Sequence, residues 1–316
     1  MSWLLNLYQT YNANLDRVGE IEYKHNGQEY TLLPVAHTTQ TAHIEVTVTE
    51  DGEFLTASVI EGNDAVTLIP CTEKSASRAG SVIAPYPLHD KLIYVAGDFA
   101  EFGGQIKGEE PFAHYIKQLE EWANSPYAVD KVRSIYRYLS KRKLIRDLVE
   151  HKILFTDENG KLVVKWDKKY EQLSETRPRI FSVVAGDQTS AFVRFNVRSP
   201  HRTLTKVWND PEMYQSFIQF YDRQLSEADL CYVTGERKPS TNRHANKIRN
   251  PGDKAKLISD NDSTGFTYRG RFTKGEEAAS ISYEVSQKAH NALKWLIQRQ
   301  GKFIEQRVIL VWGNDD

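Results

Sequence analysis

The 316-residue sequence predicts an α+β fold: mixed, mainly antiparallel sheets with helical insertions. Three observations predict it. Apolar residues alternate at period two over short runs, and some of these runs are joined by hairpin-type Asp-Gly or Asn-Gly turns. Other runs carry apolar residues at helical spacing. The two kinds follow one another in mixed order, without the regular strand–helix–strand alternation of a parallel sheet.

Taken in order, 2–15 reads as a short amphipathic helix with Trp3, Leu4, Leu7, Tyr8 and Tyr11 on one side. Residues 21–69 read as strands and turns. Ile44, Val46 and Val48 alternate with polar residues before Asp51-Gly52, and 54–60 is the returning strand. Residues 65–69 form a further strand. The run PCTEKSASRAGSVIAPYP at 70–87 is a loop of small residues carrying Lys74 and Arg78, able to approach a phosphate through backbone donors. Residues 109–153 are helical. One stripe is Phe112, Tyr115, Ile116 and Leu119; after Pro126 a second is Val132, Ile135, Tyr136 and Leu139. Eight Lys or Arg fall between 131 and 152 against Asp147 and Glu150, which makes either a solvated face or a stripe for phosphates. A hairpin is expected at 154–166 around Asn159-Gly160, strands at 180–184 and 191–197, a helix at 211–225 and a closing strand at 303–312 that pairs into an existing sheet.

The stretch 230–301 organises the rest. Leu230 to Thr234 is a short strand that Gly235 ends. Between 237 and 256 lie Arg237, Lys238, Arg243, Lys247, Arg249, Lys254 and Lys256 against a single acid, Asp253. Thr273 stands three residues before Glu276, the spacing of a capping box, so a helix is expected from Glu276 to Arg299. Ile281, Val285, Ala289, Ala292, Leu293 and Leu296 are its buried stripe. Tyr283, Gln287, His290 and Lys294 recur on another face, either a plain exposed face or an interaction face.

Composition bounds the function. Hydrophobic residues make up 40% and charged residues 26%, ordinary for a globular protein. Net charge is −1, so affinity for nucleic acid must come from local patches. Cys71 and Cys231 lack metal-ligand spacing, which points to no disulfide, no metal and a reducing, cytoplasmic setting. No signal peptide or membrane span is expected, so no membrane partner either. Phosphate-loop, nucleophile-elbow and metalloprotease motifs are absent. Cys231 reads as a small core residue. Glu22-Tyr23-Lys24 has the acid-x-Lys spacing of some metal-dependent nucleases, but surface alternation explains it better.

Three motifs carry a resemblance: CYVTGE at 231–236, FTYRGRF at 266–272 and ISYEVSQKAHNALKWLI at 281–297. With them the chain resembles the large subunit of the type I-C CRISPR interference complex, Cascade, over essentially its whole length. The resemblance implies a longer family, so the chain reads as an N-terminal portion without the C-terminal helical part. It also implies a non-catalytic subunit without cofactor. Its expected partners are CRISPR RNA at the 5′ end, target double-stranded DNA at the protospacer-adjacent motif, other Cascade subunits and a separate helicase-nuclease. Sequence reading is then delegated to base pairing, which suits a near-neutral protein. The expected regions are three: 1–105, β-rich with the target-motif loop; 106–153, a basic helical insertion; and 154–316, an α+β region with the basic loop and the long helix.

The expected nucleic-acid contacts are Lys74, Ser77, Arg78, Ser81 and Tyr86 in the first loop, and Arg237, Lys238, Arg243, His244, Lys247 and Arg249 in the second. Arg269 and Arg271 lie before the long helix. Where the family often has Asn after Pro85 this chain has Tyr86, which can stack but lacks the paired donor and acceptor of Asn. The alternative function from another class is a metal-dependent nuclease; a third reading is a protein scaffold whose basic patches meet acidic partners.

Overall fold

A computed structural model describes residues 2–78, 82–170, 173–174, 176–201, 206–225, 227–250, 252–259, 271–273 and 275–313. The strands are β1 (Glu22–Tyr23), β2 (Glu29–Tyr30), β3 (His37–Thr41), β4 (Ile44–Thr49), β5 (Phe54–Val59), β6 (Val66–Pro70), β7 (Asp90–Lys91), β8 (Phe192–Arg198), β9 (Ala228–Leu230), β10 (Arg237–Pro239), β11 (Lys302–Ile304) and β12 (Arg307–Ile309). The helices are α1 (Trp3–Ala13), α2 (Glu73–Ala76), α3 (Leu92–Val95), α4 (Pro111–Ala123), α5 (Asp130–Leu139), α6 (Leu144–Glu150), α7 (Ile180–Val183), α8 (Pro211–Asp222), α9 (Gly275–Ala278) and α10 (Tyr283–Gln300). The fold is α+β, and every pair of named strands is antiparallel except β4 with β8.

Two compact units emerge, one from Met1–Ala36 with Tyr221–Asp316 and one from His37–Phe220. They cut across the three consecutive regions drawn from the sequence. The physical reason lies in the first unit, where α1 and α10 pack together although they stand at opposite ends of the chain. Leu4, Leu7 and Tyr11 of α1 share a core with Val285, Ala289, Ala292 and Leu296 of α10. Each fully buried Leu or Val side chain contributes about 1.5–3 kcal/mol, enough to join distant segments. The Tyr11 hydroxyl and the Asn291 amide both donate to the Leu33 carbonyl, each at 3.0 Å, and tie the 31–36 segment to both helices. Cys231 sits in this core as expected of a small apolar residue.

Helix α10 starts at Tyr283, not at Glu276. Ser282 is its N-cap, with extended backbone and a side chain that accepts from the Val285 N–H. Residues 280–282 cannot join the helix because their backbone is used elsewhere. The Tyr232 N–H donates to the Ser280 carbonyl, the Thr241 N–H donates to that of Ile281, and Ser240 bridges to Ser282. The expected capping residue Thr273 instead bonds Glu277 through its N–H and hydroxyl. The closing strand is also different: β11 and β12 form a two-stranded hairpin of their own.

In the second unit, four strands lie in the order β5-β4-β8-β7, with β3 and β6 as a separate pair. Ile44, Val46 and Val48 are buried on alternate positions of β4, as the sequence pattern requires. The β4–β5 turn needs Gly52: its φ is +75°, and an added Cβ would fall 2.8 Å from the Ser134 carbonyl. Helices α4 to α6 fill the expected helical region. Asp98 accepts from the Ile145 and Arg146 N–H groups at 3.1 and 3.0 Å and so closes the first turn of α6. On α5 the buried ring is Tyr138 rather than Tyr136, whose hydroxyl donates to Glu120. Residues 180–183 are a helical turn, not a strand, and the 154–166 hairpin reduces to one bridge, Thr156 to Leu162. There Trp166 packs against Phe155, Tyr170 and Phe181 instead of lying in a ladder.

Candidate nucleic-acid interface

The first loop belongs to the second unit. It opens with the short helix α2, whose start is closed by a reciprocal cap: Ser75 N–H to the Thr72 hydroxyl and Thr72 N–H to the Ser75 hydroxyl. Lys74 is exposed on it. Ser77 is exposed too, with its hydroxyl donating to the Glu73 carbonyl. Arg78 is half-buried and turned inward. Its guanidinium donates to both oxygens of Asp90, at 2.7 and 2.9 Å, and to the Ala84 carbonyl at 3.2 Å. Its carbon lies 4.6 Å from the Tyr86 ring centre and 4.5 Å from that of Tyr94. Burial raises the Asp90 carboxyl above its ordinary range against the pull of Arg78. Tyr86, expected among the nucleic-acid contacts, is buried and accepts from the Gln40 amide at 3.4 Å. Ser81 lies outside the described residues.

The second loop belongs to the first unit. Its interior is anchored: Thr241, His244, Ile248 and Asp253 are all buried. Arg249 forks onto Asp253 at 2.8 and 3.0 Å and donates to the Gln306 carbonyl. Those hydrogen bonds hold the Asp253 carboxyl well below its ordinary range. Lys238 reaches Glu236 and Glu284, each at 2.9 Å. Burial pushes Glu284 up, but hydrogen bonds from Lys288 and Lys238 outweigh it and hold the carboxyl low. Arg237, Arg243, Lys247, Lys254 and Lys256 are exposed.

His244 is a correction: it is 4% exposed and faces inward, its Nδ1 2.9 Å from the Ser286 hydroxyl. Burial, then His290 and Lys256, push its pKa down to about 4, so the ring is neutral. The expected face of α10 is corrected in the same way. Tyr283 and His290 are buried, with Tyr283 edge-on to Tyr221 and the His290 Nδ1 donating to the Ser286 carbonyl. Gln287 and Lys294 are half-buried. The row about one turn apart is therefore largely an inner face, because α10 is enclosed on more than its apolar stripe. Arg271 is exposed beside Phe272; Arg269 lies outside the described residues.

The basic stripe of 131–152 is mostly neutralised within the fold. Lys131, Arg133, Lys141, Arg142, Lys143 and Arg146 each face a carboxylate, from Asp210, Asp130, Glu53, Glu110, Asp147 and Glu101 in turn. Arg137 donates to the Glu50 carbonyl. Glu22, the carboxylate of the nuclease alternative, accepts from the Trp295 indole at 2.8 Å and the Tyr30 hydroxyl at 2.9 Å. Lys24 bonds Gln28 and Gln298. Among the described residues no cluster of three metal-ligating side chains forms, and no helix is long and apolar enough to cross a membrane. Sequence reasoning missed Asp90 and Glu284, the carboxylates that engage Arg78 and Lys238. Their partners lie 12 and 46 positions away, beyond any local spacing signal.

Fold and site first define a class: an α+β protein whose exposed cations ride on segments ordered from within. The chain matches the family model described as CRISPR-associated protein (Cas_Csd1) over residues 7–316, and it belongs to that CRISPR-associated family. No curated protein matches it.

Proposed function

We propose that this chain is the nucleic-acid-binding large subunit of a type I-C CRISPR interference complex, acting by binding rather than catalysis. Its partners are the CRISPR RNA 5′ end, the protospacer-adjacent motif of target double-stranded DNA, the other Cascade subunits and a separate helicase-nuclease. The observation that carries the reading, given the family, is the 237–256 loop. Thr241, His244 and Ile248 hold it from within, while Arg237, Arg243, Lys247, Lys254 and Lys256 stand outward. Its one acid, Asp253, is taken by Arg249. A cation-rich loop already ordered meets a phosphate backbone without the entropy cost of folding on it. Lys74 and Arg271 add exposed charge elsewhere.

The test replaces Arg237, Lys247, Lys254 and Lys256 with Ala and measures binding of the assembled, guide-loaded complex to a matched duplex over a salt series, alongside guide-RNA assembly. Each duplex phosphate that is no longer neutralised lowers the salt slope by about 0.9. Unchanged slope and unchanged RNA assembly sink the reading.

A further inference from the structure

We propose that Arg78 is a positioning residue: a clasp on Asp90 that sets where Lys74 stands for target contact, rather than a contact to nucleic acid. This rests on the target-contact reading above. Arginine recognises phosphate through its planar fork, and here the fork is already occupied by both oxygens of Asp90. A third donor bond goes to the Ala84 carbonyl, and the Tyr86 and Tyr94 rings pack against the group. Leaving Asp90 to reach a phosphate would strand a fully buried carboxylate.

Asp90 is also tied to the backbone. Its Oδ2 accepts from the Tyr86 N–H and its Oδ1 from the Lys91 N–H, each at 2.7 Å. The intervening segment is over-determined. Leu88 is buried with φ of +71°, a left-handed conformation that a leucine keeps only when its surroundings impose it. The Tyr115 hydroxyl donates to the Leu88 carbonyl at 2.7 Å, and the Phe195 N–H donates to His89 Nδ1 at 3.1 Å. Residues 84–91 are thus a rigid platform. Arg78 comes directly after the capped turn that carries Lys74, so the ion pair fastens that turn to the platform.

The decisive variant is Arg78→Lys. It keeps a cation opposite Asp90, so the chain still folds, and it would satisfy a simple phosphate contact. It cannot reproduce the bidentate fork or the ring stacking. Two readouts are taken: affinity and salt slope of the assembled complex for a matched target duplex, and hydrogen exchange of the Tyr86 and Lys91 amides in the full chain. The expected result is affinity lowered about tenfold, the worth of one charge-assisted hydrogen bond. The salt slope should be unchanged and both amides should exchange faster. Lys74→Ala should lower the slope by about 0.9 and leave the amides protected. Amides that stay protected in Arg78→Lys overturn the clasp, and wild-type affinity for Arg78→Lys while Lys74→Ala still weakens binding overturns its positioning role. If affinity is unchanged in both variants while the amides loosen in Arg78→Lys, the clasp exists but serves no target contact, and the target-contact reading of this loop falls instead.

Discussion

Replacing Lys131 with Ala tests whether the basic helical segment serves the fold or nucleic acid. Lys131 is 4% exposed, and its Nζ lies 2.6 Å from Asp210 Oδ2. Asp210 Oδ1 accepts from the Glu212 N–H at 2.9 Å, so this carboxylate also caps α8. Removing the ammonium leaves a buried carboxylate supported by one backbone donor. Breaking such a pair from one side costs about 3–5 kcal/mol. At about 2–4 °C per kcal/mol, the melting temperature should fall by about 6–20 °C. The double variant Lys131→Met with Asp210→Asn should recover most of the loss, because Met replaces the aliphatic stem and Asn keeps the cap. Urea and thermal denaturation measure both, with hydrogen exchange over α5 and α8 locating the effect. The reasoning is refuted if Lys131→Ala costs under about 0.5 kcal/mol, the value of a surface pair, or if the double variant is no better than the single one.

Two further outcomes concern the first unit. Ile281→Asp puts an unpaired carboxylate into the α1–α10 core and should cost about 3 kcal/mol or more in urea denaturation; near-wild-type stability would show that the site reaches water. Because burial, His290 and Lys256 hold the His244 pKa at about 4, below its ordinary 6.5, its contribution is complete above pH 6.5 and is lost as pH falls toward 4. The urea midpoint of the wild type should drop across that window and His244→Phe should flatten part of the drop; identical pH profiles for the two proteins would refute it.

Short-range patterns were legible wherever one face of an element meets the core. The alternation of Ile44, Val46 and Val48 placed β4, and the Asp51-Gly52 turn placed its hairpin. The spacing of Leu4, Leu7 and Tyr11 placed α1. Elements whose state depends on distant backbone were not legible. Residues 280–282 have helical neighbours in sequence but bond in space to the non-helical backbone of Tyr232, Ser240 and Thr241, so α10 starts later than its capping-box spacing indicates. The apolar run at 303–312 has strand composition, yet nothing local says that it folds back on itself as β11 and β12.

For the site, the sequence by itself determined where positive charge concentrates, which chemistry is missing from its motifs and, through three long motifs, which family to expect. Charge along a chain is a local property and survives folding unchanged. Only the tertiary structure decided which cations remain outward. Arg78, Lys131, Lys238 and Arg249 are drawn onto Asp90, Asp210, Glu284 and Asp253, whereas Lys74, Arg237, Lys247, Lys254 and Lys256 stay exposed. His244 and His290 went inside too, with Ser286 rather than a carboxylate as the partner of each. A side chain's partner is set by what the fold brings within about 3 Å of it, and no spacing along the sequence encodes that distance.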